Sequence, residues 1–434
     1  MTQTVSGHTN QIWALVDVQS FYTACEQLFD PKLANKPVVV LSNNDGCCVA
    51  INTQAKAIGI KRGAVWYKIE REAKRAGVEV RSSNYTLYAD MSQRFIDELR
   101  QFSPQVEQYS IDEAFIRLDG LATETLTSYG KSIVDTIYQR LGLSVRVGIG
   151  ASPTLAKLAS NGAKRYENRV HGVLHIQTER QRQWLLERTD VQEVWGIGTR
   201  LATRLKTSGI ATAWQLANQE IALMRQLWNV GLTRTVLELQ GVSCIDPGDI
   251  EETKKQILST RSFGVGITDQ QELQSALAFH CHRAGEKLRK QGSQASSVGV
   301  YIRTNRYKQL PQHNKSSMES LICPTQDTQK LIISAQAQLA KMYRPGYSYQ
   351  KIGVMLNELS PVSQNKLQLD MFSKDALEES KRRDLMLISD RLNTRYKNGL
   401  KPASVIATSN WHMRQAFRSN RWTTRLDELP VASC

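Results

Sequence analysis

The sequence predicts a multidomain α+β protein. Two stretches, residues 78–150 and 254–358, each read strand, helix, strand, strand, helix, strand, and a wholly helical stretch, 186–250, lies between them. At 434 residues the chain exceeds what one core organises, so roughly two to four domains are expected.

Each element has its own signal. Residues 12–18 open with the apolar run Ile12-Trp13-Ala14-Leu15-Val16, and residues 37–41 are Pro37-Val38-Val39-Val40-Leu41; both have the length and β-branched content of buried strands. Phe21 to Leu28 reads as a helix, and Asn52 to Gly77 as short helical pieces rich in Ala, Lys and Arg. Strand 78–82, helix 88–102, a hairpin of 105–111 and 114–118, helix 128–141 and strand 143–150 follow. With strand 12–18 they are expected to form one small mixed sheet with helices on one side. Within 186–250, Val194-Trp195-Gly196-Ile197-Gly198-Thr199 sets a Gly-x-Gly turn between two helices. Such a turn aims backbone N–H groups and a helix N-terminus at an anion and resembles the helix-hairpin-helix that grips a DNA phosphate. An ordinary helix connection has the same composition.

The second pattern places strands at Arg261–Thr268, Ser296–Arg303, Met318–Ile322 and Lys351–Glu358, with helices at Leu273–Lys290 and Thr328–Tyr343. Residues 254–351 carry 15 Lys and Arg against 5 Asp and Glu, so two thirds of the whole chain's surplus of +15 sits in under a quarter of its length. A one-sided surplus of this kind, with a pI near 9.5, points to a polyanionic partner, most often nucleic acid. Arg303, Arg306 and Lys308, at the end of a strand, are the candidate phosphate contacts. After Ser360 the chain turns polar, and Gln368-Leu369-Asp370-Met371-Phe372 stands out as an apolar cluster suited to a partner's pocket or to one turn of its own fold. A basic helical segment, Lys381 to Lys397, and two late tryptophans, Trp411 and Trp422, follow.

The chemistry is carried by acidic residues in apolar runs. Asp17 follows Leu15-Val16, and Asp112-Glu113 falls at the turn of the predicted hairpin, beside which strand 12–18 would lie. A carboxylate in such a run is costly to bury alone. Three that converge would be a donor set for two Mg²⁺ ions, which prefer hard oxygen ligands and bound phosphates. The plainer reading is a strand-end aspartate and an acidic turn. Seven cysteines, none in a Cys-x-x-Cys, fit reduced and mostly buried thiols rather than a zinc site. No apolar run approaches the ~20 residues that span a bilayer, and Met1 to Asn10 is polar, so a soluble, cytoplasmic protein with no membrane partner is expected.

These residues together resemble the Y-family translesion DNA polymerases of the UmuC type. The resemblance runs over essentially the whole chain. It is carried by Asp17-Val18 with Phe21-Tyr22, by Ser110-Ile111-Asp112-Glu113-Ala114, by Asn44-Asp45-Gly46-Cys47 to Lys61, by Ala156-Lys157 with Lys164, and by Gly196-Ile197-Gly198. It implies a right-hand polymerase: palm at 10–30 and 78–185, fingers at 31–77, a helical thumb with a helix-hairpin-helix at 186–250, a β-α-β-β-α-β little finger at 254–358 and a tail at 359–434. It implies that Asp17, Asp112, Glu113 and the Val18 carbonyl hold two Mg²⁺ ions. It makes Phe21, Tyr22, Lys56, Lys157 and Lys164 substrate-binding, Tyr22 as the steric gate against a 2′-hydroxyl. Gly196, Gly198, Arg303, Arg306 and Lys308 would bind DNA. Gln368, Leu369, Met371 and Phe372 would bind the sliding clamp, with Met371 where Leu is more usual. Lys56 stands where some relatives carry Arg, and Lys157 and Lys164, seven apart, share one helix face.

The expected activity is error-prone, template-directed DNA synthesis past damaged bases in the SOS response. Its partners would be primer–template DNA, dNTPs, the sliding clamp, a processed UmuD-like dimer and RecA. Two other readings compete. A two-metal nuclease needs the carboxylates and a basic groove, but not Tyr22, Lys56 and Lys164. A catalytically silent, clamp-tethered DNA-binding scaffold keeps the charge and the tail, but has no need of all three acidic residues.

Overall fold

The computed structural model describes residues 11–244, 254–362, 376–396, 399–405 and 413–429. The chain divides into two compact units: Met1–Ser42, Gly46–Glu251 and Ala416–Cys434 make the first, and Asn43–Asp45 with Glu252–Gln415 the second.

In the first unit, β1 (Trp13–Val18) passes through a two-residue turn into α1 (Phe21–Phe29). β2 (Val38–Leu41), β3 (Cys48–Ile51), α2 (Thr53–Ala57), α3 (Trp66–Arg75) and β4 (Glu79–Ser82) follow. Then come α4 (Tyr85–Leu99), β5 (Val106–Gln108), β6 (Glu113–Arg117), α5 (Leu126–Leu141), β7 (Val145–Gly150), α6 (Pro153–Arg165), α7 (Glu167–Val170) and β8 (Val173–His175). Two sheets result, one ordered β5-β6-β1-β7-β8 and one ordered β3-β2-β4. Residues 79–82 thus pair in parallel with β2 and not within the larger sheet, as the sequence pattern suggested. The fully buried run Val38–Leu41 takes them as a second neighbour, opposite β3.

Helices also cover both faces of the larger sheet, not one. Ala14, Val16, Val18, Val145, Val147 and Ile149 pack under α4 and α5, whereas Trp13, Leu15 and Phe115 meet Ala156 of α6 on the other face. Ser152 caps α6 through the Leu155 N–H, and Pro153 sits in its first turn, a strong start signal. The close approach depends on two glycines of β7. A Cβ on Gly148 would lie 2.0 Å from the Ser160 nitrogen and 2.3 Å from the Ala156 carbonyl oxygen, and one on Gly150 would lie 2.9 Å from Leu155 Cβ. Gly148→Ala must therefore push α6 off the sheet. Overpacking of this kind costs about 1–3 kcal/mol, so a melting temperature lower by roughly 5 °C is expected. An unchanged melting curve would show that α6 can move without cost.

Helices α8 (Glu179–Glu187), α9 (Thr199–Thr207), α10 (Ala213–Ala217), α11 (Ile221–Leu227) and α12 (Val230–Leu239) share an apolar core that Leu155 and Leu158 of α6 also enter. The buried Glu238 carboxylate of α12 accepts the Thr154 N–H of α6 at 3.0 Å and the Cys244 N–H at 2.6 Å, which ties this helical cluster to the larger sheet's layer.

The second unit contains β9 (Ile257–Ile267), α13 (Gln270–Lys290), β10 (Ser293–Thr304), β11 (Asn314–Thr325), α14 (Thr328–Met342) and β12 (Tyr349–Pro361) in a sheet ordered β11-β10-β12-β9. The element order is the one read from the sequence. The strands are longer than their apolar cores, and α13 and α14 pack on one face of the sheet. Val298, Val300 and Ile302 point into the core with α13 and α14, so Gly299, Tyr301 and Arg303 point the other way. Helix α15 (Ala376–Arg395) joins this unit through Asp390, which receives the buried Arg289 guanidinium at 2.6 and 2.8 Å. Arg289 is satisfied further by the Gln326 carbonyl and Thr328 Oγ1, both 2.9 Å away. It is therefore a structural residue and not part of a solvated basic face. Among the described residues all six cysteines are free thiols, and no helix is long and apolar enough to cross a membrane.

Candidate active site

Strand register places the acidic residues side by side. Asp17 is the direct partner of Glu113 in β6 and of Arg146 in β7, so Arg146, Asp17 and Glu113 form a row across three strands. Direct partners share a face, and this is the face that carries α6. Asp112 comes next, at the tip of the hairpin. Ser110 Oγ holds that tip: it accepts the Asp112 and Glu113 N–H groups at 3.2 and 3.1 Å and donates to the Asp112 carboxylate at 2.6 Å. The Val18 N–H then donates to the Asp112 carbonyl at 2.9 Å, fixing the tip against the end of β1.

The charge of this corner is unbalanced. The Asp17 carboxyl is pushed up to about 7, first by burial and then by the carboxylates of Glu113 and Asp112, while Arg146 and Lys164 pull the other way. Arg146 is shared with Glu167, which one of its guanidinium nitrogens meets at 2.9 Å. Lys157 of α6 reaches Glu113 at 3.0 and 3.1 Å and lies 4.3 Å over the Tyr109 ring. Among the described residues no three carboxylate, His or Cys side chains already close on one point. The three carboxylates nevertheless fit a hard divalent cation, which would offset both the burial and the carboxylate repulsion that raise the Asp17 pKa.

A cationic group faces this corner. The Lys56 amine, at the end of α2, is held below its ordinary value by partial burial and then by Lys164, Arg146 and Arg62 around it. Four positive side chains that repel one another beside three carboxylates are arranged for a polyanion carrying its own cations. Tyr22 completes the site. Ser20, in the left-handed region at φ 50°, turns the chain sharply from β1 into α1 and so puts Tyr22 in the first turn of α1, where the Asp112 carboxylate acts on it. Its hydroxyl pKa is raised by burial, then by Tyr85 and Asp112, and its ring lies flat on Tyr88 with centroids 4.4 Å apart and planes at 14°.

The structure thus brings together Asp17, Val18, Asp112, Glu113, Tyr22, Lys56, Lys157 and Lys164. Phe21 differs: its side chain is 2% exposed and packs in the core beneath the sheet, so it does not line the site. Lys157 is engaged with Glu113, whereas Lys164 is exposed. Gly196 and Gly198 lie in the helical cluster, where Gly196 at φ 85° makes the turn that only glycine adopts readily and Gly198 is the N-cap of α9. Arg303, Arg306 and Lys308 lie in the second unit, all exposed. Gln368, Leu369, Met371 and Phe372 fall outside the described residues. Sequence reasoning missed Arg146 and Arg62. Arg146 carried the same signal as Asp17, a charge inside an apolar strand, Val145-Arg146-Val147.

Comparison with known proteins decides the family. Residues 16–161 match the impB/mucB/samB family, residues 254–371 match its C-terminal domain, and residues 383–432 match a domain of unknown function. Protein UmuC of Salmonella typhimurium is 39% identical over 421 residues, covering 96% of this chain and 99% of that protein. The chain belongs to the impB/mucB/samB family. It is a UmuC-type member, and the DNA polymerase IV of Pelotomaculum thermopropionicum is a more distant relative, 27% identical over 88% of this chain and 92% of its own length. A solved chimera of Y-family DNA polymerases superposes with a TM-score of 0.65 over 81% of this chain and 99% of its own, at 20% identity. The fold of this family member is therefore the multidomain Y-family polymerase fold, and the family is one of DNA-directed DNA polymerases.

Proposed function

We propose that this UmuC-type chain is an error-prone translesion DNA polymerase, extending a primer 3′-hydroxyl past damaged bases in the SOS response. The observation that carries this reading is the row Arg146–Asp17–Glu113 with Asp112 at its end, faced by Lys56, Arg62 and Lys164 and flanked by Tyr22. In polymerase terms the five-stranded sheet is the palm, the three-stranded sheet the fingers, the helical cluster the thumb and the second unit the little finger. Residues 359–434 are the tail.

Asp17, Asp112, Glu113 and the Val18 carbonyl would hold two Mg²⁺ ions, whose chemistry is to acidify the primer hydroxyl and neutralise the triphosphate and pyrophosphate. The chain's own residues do the rest. Lys56, Lys164 and Arg62 take the triphosphate and orient it, and Tyr22 lies under the incoming sugar, where a 2′-hydroxyl meets its ring. Lys157 holds Glu113 in place until the substrate arrives. The thumb turn Gly196–Gly198 offers backbone N–H groups to a DNA phosphate. A catalytically silent scaffold has no use for this constellation, and a nuclease has none for Tyr22. The test is extension of a primed template with dNTPs and Mg²⁺. Template-directed addition supports the reading, and degradation of the primer would favour the nuclease.

On the little finger, Arg303 and Lys351 are direct partners on the face away from α13 and α14, with the Lys351 amine 5.7 Å over the Tyr301 ring. With Arg306 and Lys308 they are assigned to the DNA backbone. Each phosphate contact contributes about −0.9 to the slope of log K against log salt, so Arg303→Ala with Lys351→Ala should flatten that slope by roughly 2. An unchanged slope in a DNA-binding titration would mean that this face looks into solvent.

Clamp binding is assigned to Gln368, Leu369, Met371 and Phe372, and the tail is assigned to a processed UmuD-like dimer and RecA. A cytoplasmic location follows from the DNA substrate. Leu369→Ala with Phe372→Ala removes two apolar anchors, worth on the order of 2–4 kcal/mol in a docked peptide. It should abolish clamp-stimulated extension and keep distributive synthesis; equal stimulation in the double variant would rule the assignment out.

A further inference from the structure

The region matching a domain of unknown function contributes residues 416–429 to the palm and fingers unit. Its path there is specific. The Ser82 N–H donates to the Phe417 carbonyl and the Phe417 N–H to Ser82 Oγ, both at 3.0 Å, so the segment adds to the open edge of β4. Asn84, the N-cap of α4, donates its amide to Ser419 Oγ at 3.0 Å and to the Asn420 carbonyl at 2.9 Å. Phe417 packs on the fingers core, and Trp422 stacks on Phe29 at the end of α1 with centroids 6.4 Å apart.

The contact that matters is Ser419 Oγ, which donates to Glu26 at 3.0 Å. Glu26 is 1% exposed, and the same carboxylate oxygen accepts the Tyr88 hydroxyl at 2.7 Å. Tyr88 is wholly buried and carries the Tyr22 ring on its face. Glu26 and Tyr22 are also one turn apart on α1, so Glu26, Tyr88 and Tyr22 form a closed set, with Ser419 attached at Glu26. A buried carboxylate that loses one of its donors draws in water or swings toward another partner, and either change releases the Tyr88 ring.

We propose that the C-terminal segment 416–429 positions the sugar gate: Ser419 fixes Glu26, Glu26 fixes Tyr88, and Tyr88 sets the height and tilt of Tyr22. The proposal rests on Tyr22 being the gate. Ser419, Glu26 and Tyr88 are positioning residues that act through Tyr22 and touch no substrate. Sugar selectivity in this chain is then set partly by a region far from the palm in sequence, and losing that region would admit ribonucleotides without stopping synthesis.

The experiment measures kcat/KM for rNTP and dNTP incorporation by the full chain in Ser419→Ala, Ser419→Thr, Tyr88→Phe, Tyr22→Ala and the double variant Ser419→Ala with Tyr22→Ala. Ser419→Ala and Tyr88→Phe should each raise the rNTP to dNTP ratio by about fivefold, the size expected from loosening one buried hydrogen bond. Their dNTP incorporation should stay within about twofold of wild type, since neither removes a substrate contact. Ser419→Thr keeps the hydroxyl and should restore the wild-type ratio. In the Tyr22→Ala background, Ser419→Ala should add nothing, because residues acting through one group are not additive. If Tyr22→Ala raises the ratio and neither Ser419→Ala nor Tyr88→Phe does, the positioning link is wrong and the gate stands. A rise from Ser419→Ala that persists in the Tyr22→Ala background also overturns the link. If Tyr22→Ala leaves the ratio unchanged, the gate falls and the link falls with it.

Discussion

Asp112→Asn should abolish nucleotide addition and leave DNA binding intact. The hairpin tip is held by Ser110 Oγ, which donates to the Asp112 carboxylate and accepts two backbone N–H groups. An asparagine can still accept the first of these bonds, so the tip should keep its shape and lose only its charge. Charge is what the site needs from it. Metal-borne stabilisation of a phosphoryl transition state is worth several kcal/mol, so a rate loss on the order of 10³-fold or more is expected. Single-turnover primer extension measures the loss, and an electrophoretic shift with primer–template confirms binding. Extension at near wild-type rate would remove Asp112 from the chemistry. Asp17→Asn should be equally inactive for the same reason, but it should differ in stability. It deletes a buried carboxyl that Glu113 and Asp112 repel, so in metal-free buffer it is expected to melt at a higher temperature than wild type, the mark of a residue kept for function at a cost in stability.

Tyr22→Ala should open the polymerase to ribonucleotides. The Tyr22 ring is held between Tyr88, which it stacks against, and Tyr85, whose ring meets it edge-on at 6.1 Å. In the proposed gate, a ring held on two sides would not turn away from an incoming 2′-hydroxyl, and its bulk would discriminate. Removing it should raise the rNTP to dNTP ratio by about 10²-fold, as expected for relief of a clash of a few kcal/mol. Tyr22→Phe keeps the ring and should still discriminate. Steady-state incorporation of a single rNTP and dNTP separates the two variants. Equal ratios in Tyr22→Ala and wild type would show that the sugar is read elsewhere.

Much of this was legible in the chain because it is local. Asp17 beside Glu113 followed from a hairpin with an acidic turn and a buried strand, 12–18, expected to lie beside it. The second sheet was legible because Val298, Val300 and Ile302 alternate with residues that face away from the helices. What could not be read depends on which strand finds which neighbour. Residues 79–82 have the pattern of a strand and nothing that names its partner, and their parallel place beside β2 shows only in the folded chain. The helices on the second face were hidden in two glycines, Gly148 and Gly150, whose lack of side chains is a packing signal visible only once α6 is in place. Phe21 looked like a neighbour of the gate because it adjoins Tyr22, but helix geometry turns adjacent residues about 100° apart and sends it to the core. Glu26 and Tyr88 gave no sign of their link to Ser419, since buried hydrogen bonds between residues 393 positions apart leave no trace in spacing.

The most direct test of translesion synthesis is primer extension across a single abasic site, with the clamp, a processed UmuD-like dimer and a RecA filament supplied and the Asp112→Asn protein as control. Full-length product that depends on Asp112, with nucleotides inserted opposite the missing base, is the predicted result. Synthesis that runs to the last undamaged base and stops there, with every partner present, would contradict it.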